Sequence, residues 1–111
     1  MELAQETLAC RGIRFCLRDA KGEEIAHAYL YLMLNDLHPG QPFGLLEDVF
    51  VVEEHRHKGH GVRLIRYVIK EAETVGCYKL IATSRHGRPE VHDLYLRLGF
   101  ADHGKEFRLD F

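Results

Sequence analysis

The sequence predicts a mixed α/β (α+β) fold, a β-sheet with two helices in the order β-β-β-α-β-α-β-β. Three observations predict it. Apolar and polar residues alternate along residues 12–18, an almost wholly apolar run fills 25–34, and Leu64, Ile65, Val68, Ile69, Ala72 and Val75 recur at helical spacing.

The first strand, residues 12–18, sets Ile13, Phe15 and Leu17 on one face and Arg14, Cys16 and Arg18 on the other, the pattern of a half-buried strand. Asp19-Ala20-Lys21-Gly22 then reads as a turn. In the second strand, 25–34, Ala26, Ala28, Leu30, Leu32 and Leu34 share one face, and Ile25, His27, Tyr29, Tyr31 and Met33 the other. Apolar character on both faces predicts a central strand covered on both sides. Two prolines and two glycines make 35–44 a loop. The third strand, 45–52, is interrupted by Glu47-Asp48; strand neighbours point to opposite faces, so one of the two carboxylates looks into any given cleft. A helix follows to about Val75, with Arg63, Arg66, Lys70 and Glu73 outside its apolar stripe and Gly76 suited to end it. Residues 78–84 form a fourth strand, and Pro89 in the next loop stands near the start of a short helix, 90–98, closed by Gly99. A hairpin around Asp102-His103-Gly104-Lys105 closes the chain, with 107–111 as its second strand.

At 111 residues and with no repeat, linker or low-complexity tract, the chain is expected to form one domain, 1–111. Its 15 Lys plus Arg against 17 Asp plus Glu give a net charge of −2, which argues against nucleic-acid binding through a broad basic field. No apolar run approaches the ~20 residues that span a bilayer, and the first residues lack the basic region of a signal peptide, so no membrane association is expected. Cys10, Cys16 and Cys77 are an odd, unclustered set, read as reduced thiols of a cytoplasmic protein.

The most informative segment is Arg56-x-x-Gly59-x-Gly61, between a strand and a long helix. A helix start presents unpaired N–H groups and about half a positive charge. Glycines there let the backbone approach an anion such as a phosphate. Two common phosphate loops are excluded: no Gly-Lys-Ser/Thr follows, and the third small residue of a dinucleotide fingerprint would fall on Leu64. The bland alternative is a tight strand-to-helix turn with no ligand.

Residues 51–61 resemble the Arg/Gln-x-x-Gly-x-Gly/Ala coenzyme A loop of the GCN5-related N-acetyltransferase (GNAT) superfamily, and Tyr95-Leu96-Arg97-Leu98-Gly99-Phe100 resembles that family's Tyr-x-x-x-Gly-Phe segment. Leu46-Glu47-Asp48-Val49 and Cys77-Tyr78-Lys79 are also similar to its glucosamine-6-phosphate branch. The resemblance covers about 12–111 and implies a mostly antiparallel sheet splayed between the third and fourth strands, with acetyl-CoA as acetyl donor in the opening. Carried over by position, backbone groups of Phe50, Val51 and Val52 pair with the pantetheine, and the amides of His57, Lys58, Gly59, His60, Gly61 and Val62 hold the pyrophosphate. Arg56, Lys58 and Arg63 complement its charge, and Arg88, where the family often has Asn, reaches a phosphate. The two helices that the family usually carries between its first and second strands are missing; only the turn at 19–23 fits there. The acceptor site is then open or completed by a partner chain, as in a homodimer.

Acetyl transfer to an amine requires removal of a proton, since free alkylamines have pKa near ~10.4. It also requires N–H donors for the carbonyl oxygen, here assigned to Val51, and a proton for the departing thiolate. The resemblance assigns that last proton to Tyr95; on its residue type alone Tyr95 is a core tyrosine. Glu47 is the expected base, with Asp48 second and His92, one helical turn before Tyr95, a further alternative; an ordinary ion pair is the competing reading of either carboxylate. His27 lines the acceptor side or is simply packed among Tyr29 and Tyr31. His55, His57 and His60 lack a nearby Cys or fixed fourth ligand, so no metal is expected. The functional reading is an acetyl-CoA-dependent N-acetyltransferase acting on a small-molecule or peptide amine. The alternative is a non-catalytic coenzyme A-binding or protein-interaction module of the same fold.

Overall fold

The computed structural model describes residues 1–111. It contains β1 (Arg11–Arg18), β2 (Glu24–Met33), β3 (Phe43–Val51), a 3-10 turn (Glu53–His55), α1 (His60–Thr74), β4 (Leu80–Ala82) and α2 (Pro89–Arg97). The strands lie side by side as β1-β2-β3-β4, with β1–β2 and β2–β3 antiparallel. The fold is therefore a mixed, mostly antiparallel sheet with two helices. Backbone contacts divide the chain into two compact units, Met1–Ile81 and Ala82–Phe111.

In the first unit the turn between β1 and β2 is closed by Asp19, whose Oδ1 accepts from the N–H groups of Lys21 and Glu23 at 2.9 and 3.0 Å. Ile13, Phe15 and Leu17 oppose Leu30, Ala28 and Ala26, so one face of the sheet is continuous and apolar. Helix α1 covers that face. Its Leu64, Ile65, Val68 and Ala72 are buried with Ala26, Ala28, Leu30, Leu32 and Leu46. Gly76 at φ 85° ends α1, letting the Cys77 N–H reach back to Ala72 O at 2.9 Å.

The other face corrects an expectation. It is half open, with Tyr31 and Phe50 exposed and His27, Tyr29 and Met33 only partly covered. His27, Tyr29 and Tyr31 are rings with polar groups, which pack against one another and tolerate water, so apolar character alone overstates how far a second layer covers them.

β3 pairs with β2 along most of its length but meets β4 at its first residues, where Gly44 N–H donates to Lys79 O at 2.9 Å and Tyr78 N–H to Pro42 O at 3.0 Å. Gly44 leaves little room there: a Cβ would stand 2.9 Å from Leu80 Cδ1 and 3.0 Å from Leu30 Cδ1, so one of these side chains would have to shift.

The second unit carries α2, with Pro89 at the helix start. The expected closing hairpin is absent: residues 100–111 form no strand, and Phe107 and Phe111 are 90% and 113% exposed. The alternation of Phe107, Leu109 and Phe111 supplies one apolar face but nothing to bury it, and a lone two-stranded hairpin is marginal in water.

Candidate functional site

The site begins where β3 ends. Val52 N–H donates to Ile25 O on β2 at 2.9 Å, and its carbonyl accepts from His55 N–H at 2.9 Å. Polar backbone groups alternate sides along a strand, so Val51 turns its N–H and C=O away from β2 while Phe50, opposite His27, turns its own toward it. Arg56 Nε donates to the Val51 carbonyl at 2.8 Å, and its guanidinium lies 5.4 Å from the centre of the Phe50 ring. Arg56 thereby folds the loop back onto the strand end. Of the three residues assigned together to backbone pairing, Val51 alone points its amide away from β2.

The chain then passes through left-handed backbone at His57 (φ 62°) and Gly59 (φ 83°) before α1 starts at His60. Nothing caps that start: no side chain bonds to it, and the first turn contains no acidic residue. Arg63 N–H is taken by Gly59 O at 3.0 Å, as expected for the first internal helix bond, which leaves the amides of His60, Gly61 and Val62 to an outside partner. A Cβ at Gly61 would meet only Val51 Cγ2, at 3.8 Å, so packing within the chain does not demand glycine there. The cradle thus has amide donors, a helix start and room for close approach, which is what a diphosphate needs. Lys58 is exposed beside it, while Arg63 bonds to Tyr67 Oη at 3.3 Å. His55 and His60 meet edge to face at 6.0 Å, and His57 is exposed.

The carboxylates lie at an irregularity that the sequence does not announce. Above it Ala26 faces Val51 and His27 faces Phe50; below it Tyr29 faces Glu47. One extra residue of β3 is therefore accommodated opposite Ala28, and Asp48 takes φ 50°. Such a bulge breaks strict alternation. Glu47 shares the open face with Tyr29, and Asp48 reaches the same face, its Oδ2 3.0 Å from His27 Nε2. The expectation that only one of the pair can look to a given side fails for this reason.

Two residues not singled out in the sequence complete this face. Arg14 on β1 donates two hydrogen bonds to the Glu24 carboxylate, at 2.5 and 2.7 Å, and its Nε donates to Tyr29 Oη at 3.1 Å. The Glu24 carboxyl is held down at about 2, first by Arg14 and then by the His27 bond, against an opposing desolvation. Glu24 Oε2 lies 3.3 Å from His27 Nδ1. The signal for Arg14 was its place among the polar residues opposite β2; for Glu24 there was none.

In the second unit, Tyr95-x-x-x-Gly99-Phe100 has a physical explanation. Gly99 adopts φ 101°, its N–H donates to Leu96 O at 3.1 Å, and Phe100 N–H donates to Tyr95 O at 3.0 Å. This is a helix stop in which the residue after glycine packs on the residue three from the helix end, here Phe100 on Tyr95 at 5.2 Å between ring centres. The motif fixes the orientation of Tyr95. Arg88 precedes α2 and its Nε donates to Glu90 at 3.0 Å, which lowers the Glu90 pKa. His92 Nε2 lies 2.8 Å from Arg85 O, so that nitrogen carries hydrogen and ties the loop to the helix.

Comparison with known proteins agrees with this geometry. The model of the Acetyltransferase (GNAT) family matches residues 2–100. A probable glucosamine 6-phosphate N-acetyltransferase of Oryza sativa is 31% identical over 87 residues, 78% of this chain and 51% of that protein. An L-methionine sulfoximine/L-methionine sulfone acetyltransferase of Pseudomonas aeruginosa is 33% identical over 89 residues, 78% of this chain and 49% of that protein. The crystal structure of a Trypanosoma brucei acetyltransferase superposes with a TM-score of 0.80 at 28% identity, covering 90% of this chain and 69% of that one. The chain spans about half the length of these two curated relatives. On the match across nearly its whole length, this chain belongs to the acetyltransferase (GNAT) family.

Proposed function

We propose that residues 1–111 form a single acetyl-CoA-binding domain that transfers the acetyl group to a primary amine by direct attack in a ternary complex. One observation carries the reading: the uncapped, glycine-led start of α1 stands beside the outward-turned Val51 amide at the splay of β3 and β4. Bound there, acetyl-CoA supplies an acetyl group activated as a thioester.

The chain's own residues divide the remaining tasks. The amides of His60, Gly61 and Val62, with Lys58 nearby, hold the diphosphate; Arg56 braces the loop and Arg88 is assigned a phosphate by its motif position. Val51 N–H donates to the carbonyl oxygen as negative charge develops on it. Glu47 takes the proton from the ammonium, with Asp48 beside it. Tyr95, by its place in the family motif, gives the hydroxyl proton to the departing sulfur. Both curated relatives act, by their names, on compounds bearing a primary amine, an amino sugar phosphate and amino-acid derivatives. The acceptor proposed here is of that small-molecule or peptide class, handled in the cytoplasm.

Calorimetry with acetyl-CoA, followed by a thiol-release assay with pooled amines including glucosamine 6-phosphate and methionine sulfoximine, tests the proposal. Binding plus amine-dependent thiol release is expected; absence of binding overturns it. A second reading, a coenzyme-binding module without transfer, is favoured by the half-open β2–β3 face. Binding with no thiol release from any amine would select it. A homodimer that completes the acceptor side belongs to the first reading and is measured by sedimentation.

A further inference from the structure

We propose that His27 is a positioning residue for acetyl transfer, bridging Glu24 and Asp48 so that the β3 bulge keeps Glu47 on the open face. The kinetic part of this proposal rests on the acetyltransferase reading above; the bridge itself does not.

Asp48 needs an external hold. An aspartate at φ 50° is in left-handed backbone, which a side chain adopts at a free-energy cost, and the bulge leaves the ladder irregular between His27 and Tyr29. The Asp48–His27 bond at 3.0 Å stitches β3 to β2 at that irregularity. His27 is held in its turn. Glu24 stands 3.3 Å from its Nδ1, and Arg14 grips Glu24 from β1. Phe50 stacks on the imidazole at 5.5 Å and Tyr29 meets it edge-on at 5.8 Å. Four side chains on three strands thus form one line, Arg14–Glu24–His27–Asp48. The imidazole within it is 19% exposed, and the carboxylate it holds is 63% exposed.

This arrangement separates His27 from the role of base. Both ring nitrogens face carboxylate oxygens, which only accept, so both bonds are made together when both nitrogens carry hydrogen. The ring then has no lone pair for an ammonium proton and acts through Asp48. The charged or titratable groups facing it are Glu24 and Tyr29 on β2, Asp48 and Glu47 on β3, and Arg14 and Cys16 on β1; Arg56 lies beyond Phe50. Arg14 is committed to Glu24, and His27 holds Asp48, the more exposed partner.

Two variants of the full chain test this. His27→Phe keeps a ring for the stacks and removes both bonds, whereas His27→Gln keeps a donor for Asp48 that does not titrate. His27→Phe is expected to lower kcat roughly 10- to 100-fold, as misplacement of a reacting group does, with KM for acetyl-CoA nearly unchanged. His27→Gln is expected to recover most of the rate. In NMR spectra the amides of residues 47–50 should shift in His27→Phe but not in His27→Gln. Wild-type turnover in His27→Phe, with unmoved amides, would overturn the proposal, as would a Gln variant as impaired as the Phe one. Should the wild-type chain acetylate no amine, the acetyltransferase reading falls, while the NMR comparison still decides whether His27 holds the bulge.

Discussion

Arg14 and Glu24 face each other across β1 and β2 with both carboxylate oxygens engaged, and this pair sets an acid limit on the sheet. The folded Glu24 carboxyl, at about 2, lies below its unfolded value near ~4.3. Its contribution to stability is therefore complete above the unfolded value and fades as pH falls toward about 2. Arg14→Gln should lower the melting temperature at pH 6, with the gap to wild type closing by pH 2; a gap that stays constant across this range would contradict the assignment. Tyr95 calls for a different measurement. Tyr95→Phe keeps the ring that packs on Phe100, so melting temperature and acetyl-CoA affinity should hold while kcat falls roughly 100-fold, the low end for a lost general acid. Unchanged turnover would remove Tyr95 from the chemistry. Its candidacy was legible because glycine and phenylalanine at fixed offsets make a helix stop. The partners of His27 were not, because cross-strand bonds depend on register, and nothing in the residues around Asp48 announces a left-handed backbone.

Among the elements, the start of α1 was the most legible, since Gly59 and Gly61 stand just where an apolar stripe of helical period begins. Gly59 holds φ 83°, where a side chain is strained even though a Cβ there meets nothing within 4 Å. Gly59→Ala should lower the melting temperature through about 1 kcal/mol of left-handed strain, and any relaxation of the loop away from this backbone should weaken acetyl-CoA about five- to tenfold. Equal affinity in calorimetry would show that the cradle does not need this backbone. β3 was legible as a strand but not as a bulged one, and the difference decides which way two carboxylates point. β4 shortened from the expected 78–84 to Leu80–Ala82, although Tyr78 and Lys79 just before it still bond to Pro42 and Gly44 at the start of β3.

For the whole molecule, the mixed sheet and its two helices followed from periodicity alone, because one buried face of β1, β2 and β3 matches one stripe of α1. Periodicity failed where nothing lies opposite the pattern. The open face of β2 and the tail after Phe100 both carry apolar residues at strand spacing, yet neither is covered. Removal of residues 101–111 should change unfolding free energy by no more than about 0.5 kcal/mol, as for surface changes generally, in a urea titration of the shortened chain. A larger loss would mean that the tail packs in solution.

The gape between β3 and β4 is governed by a missing methyl group. Gly44 is the pivot of a pair of tongs, with the Leu30 and Leu80 side chains closed on it from either side. Any larger residue at that pivot must push one of these two leucines aside, so the closed end is set by side-chain packing and not by any atom of the cradle.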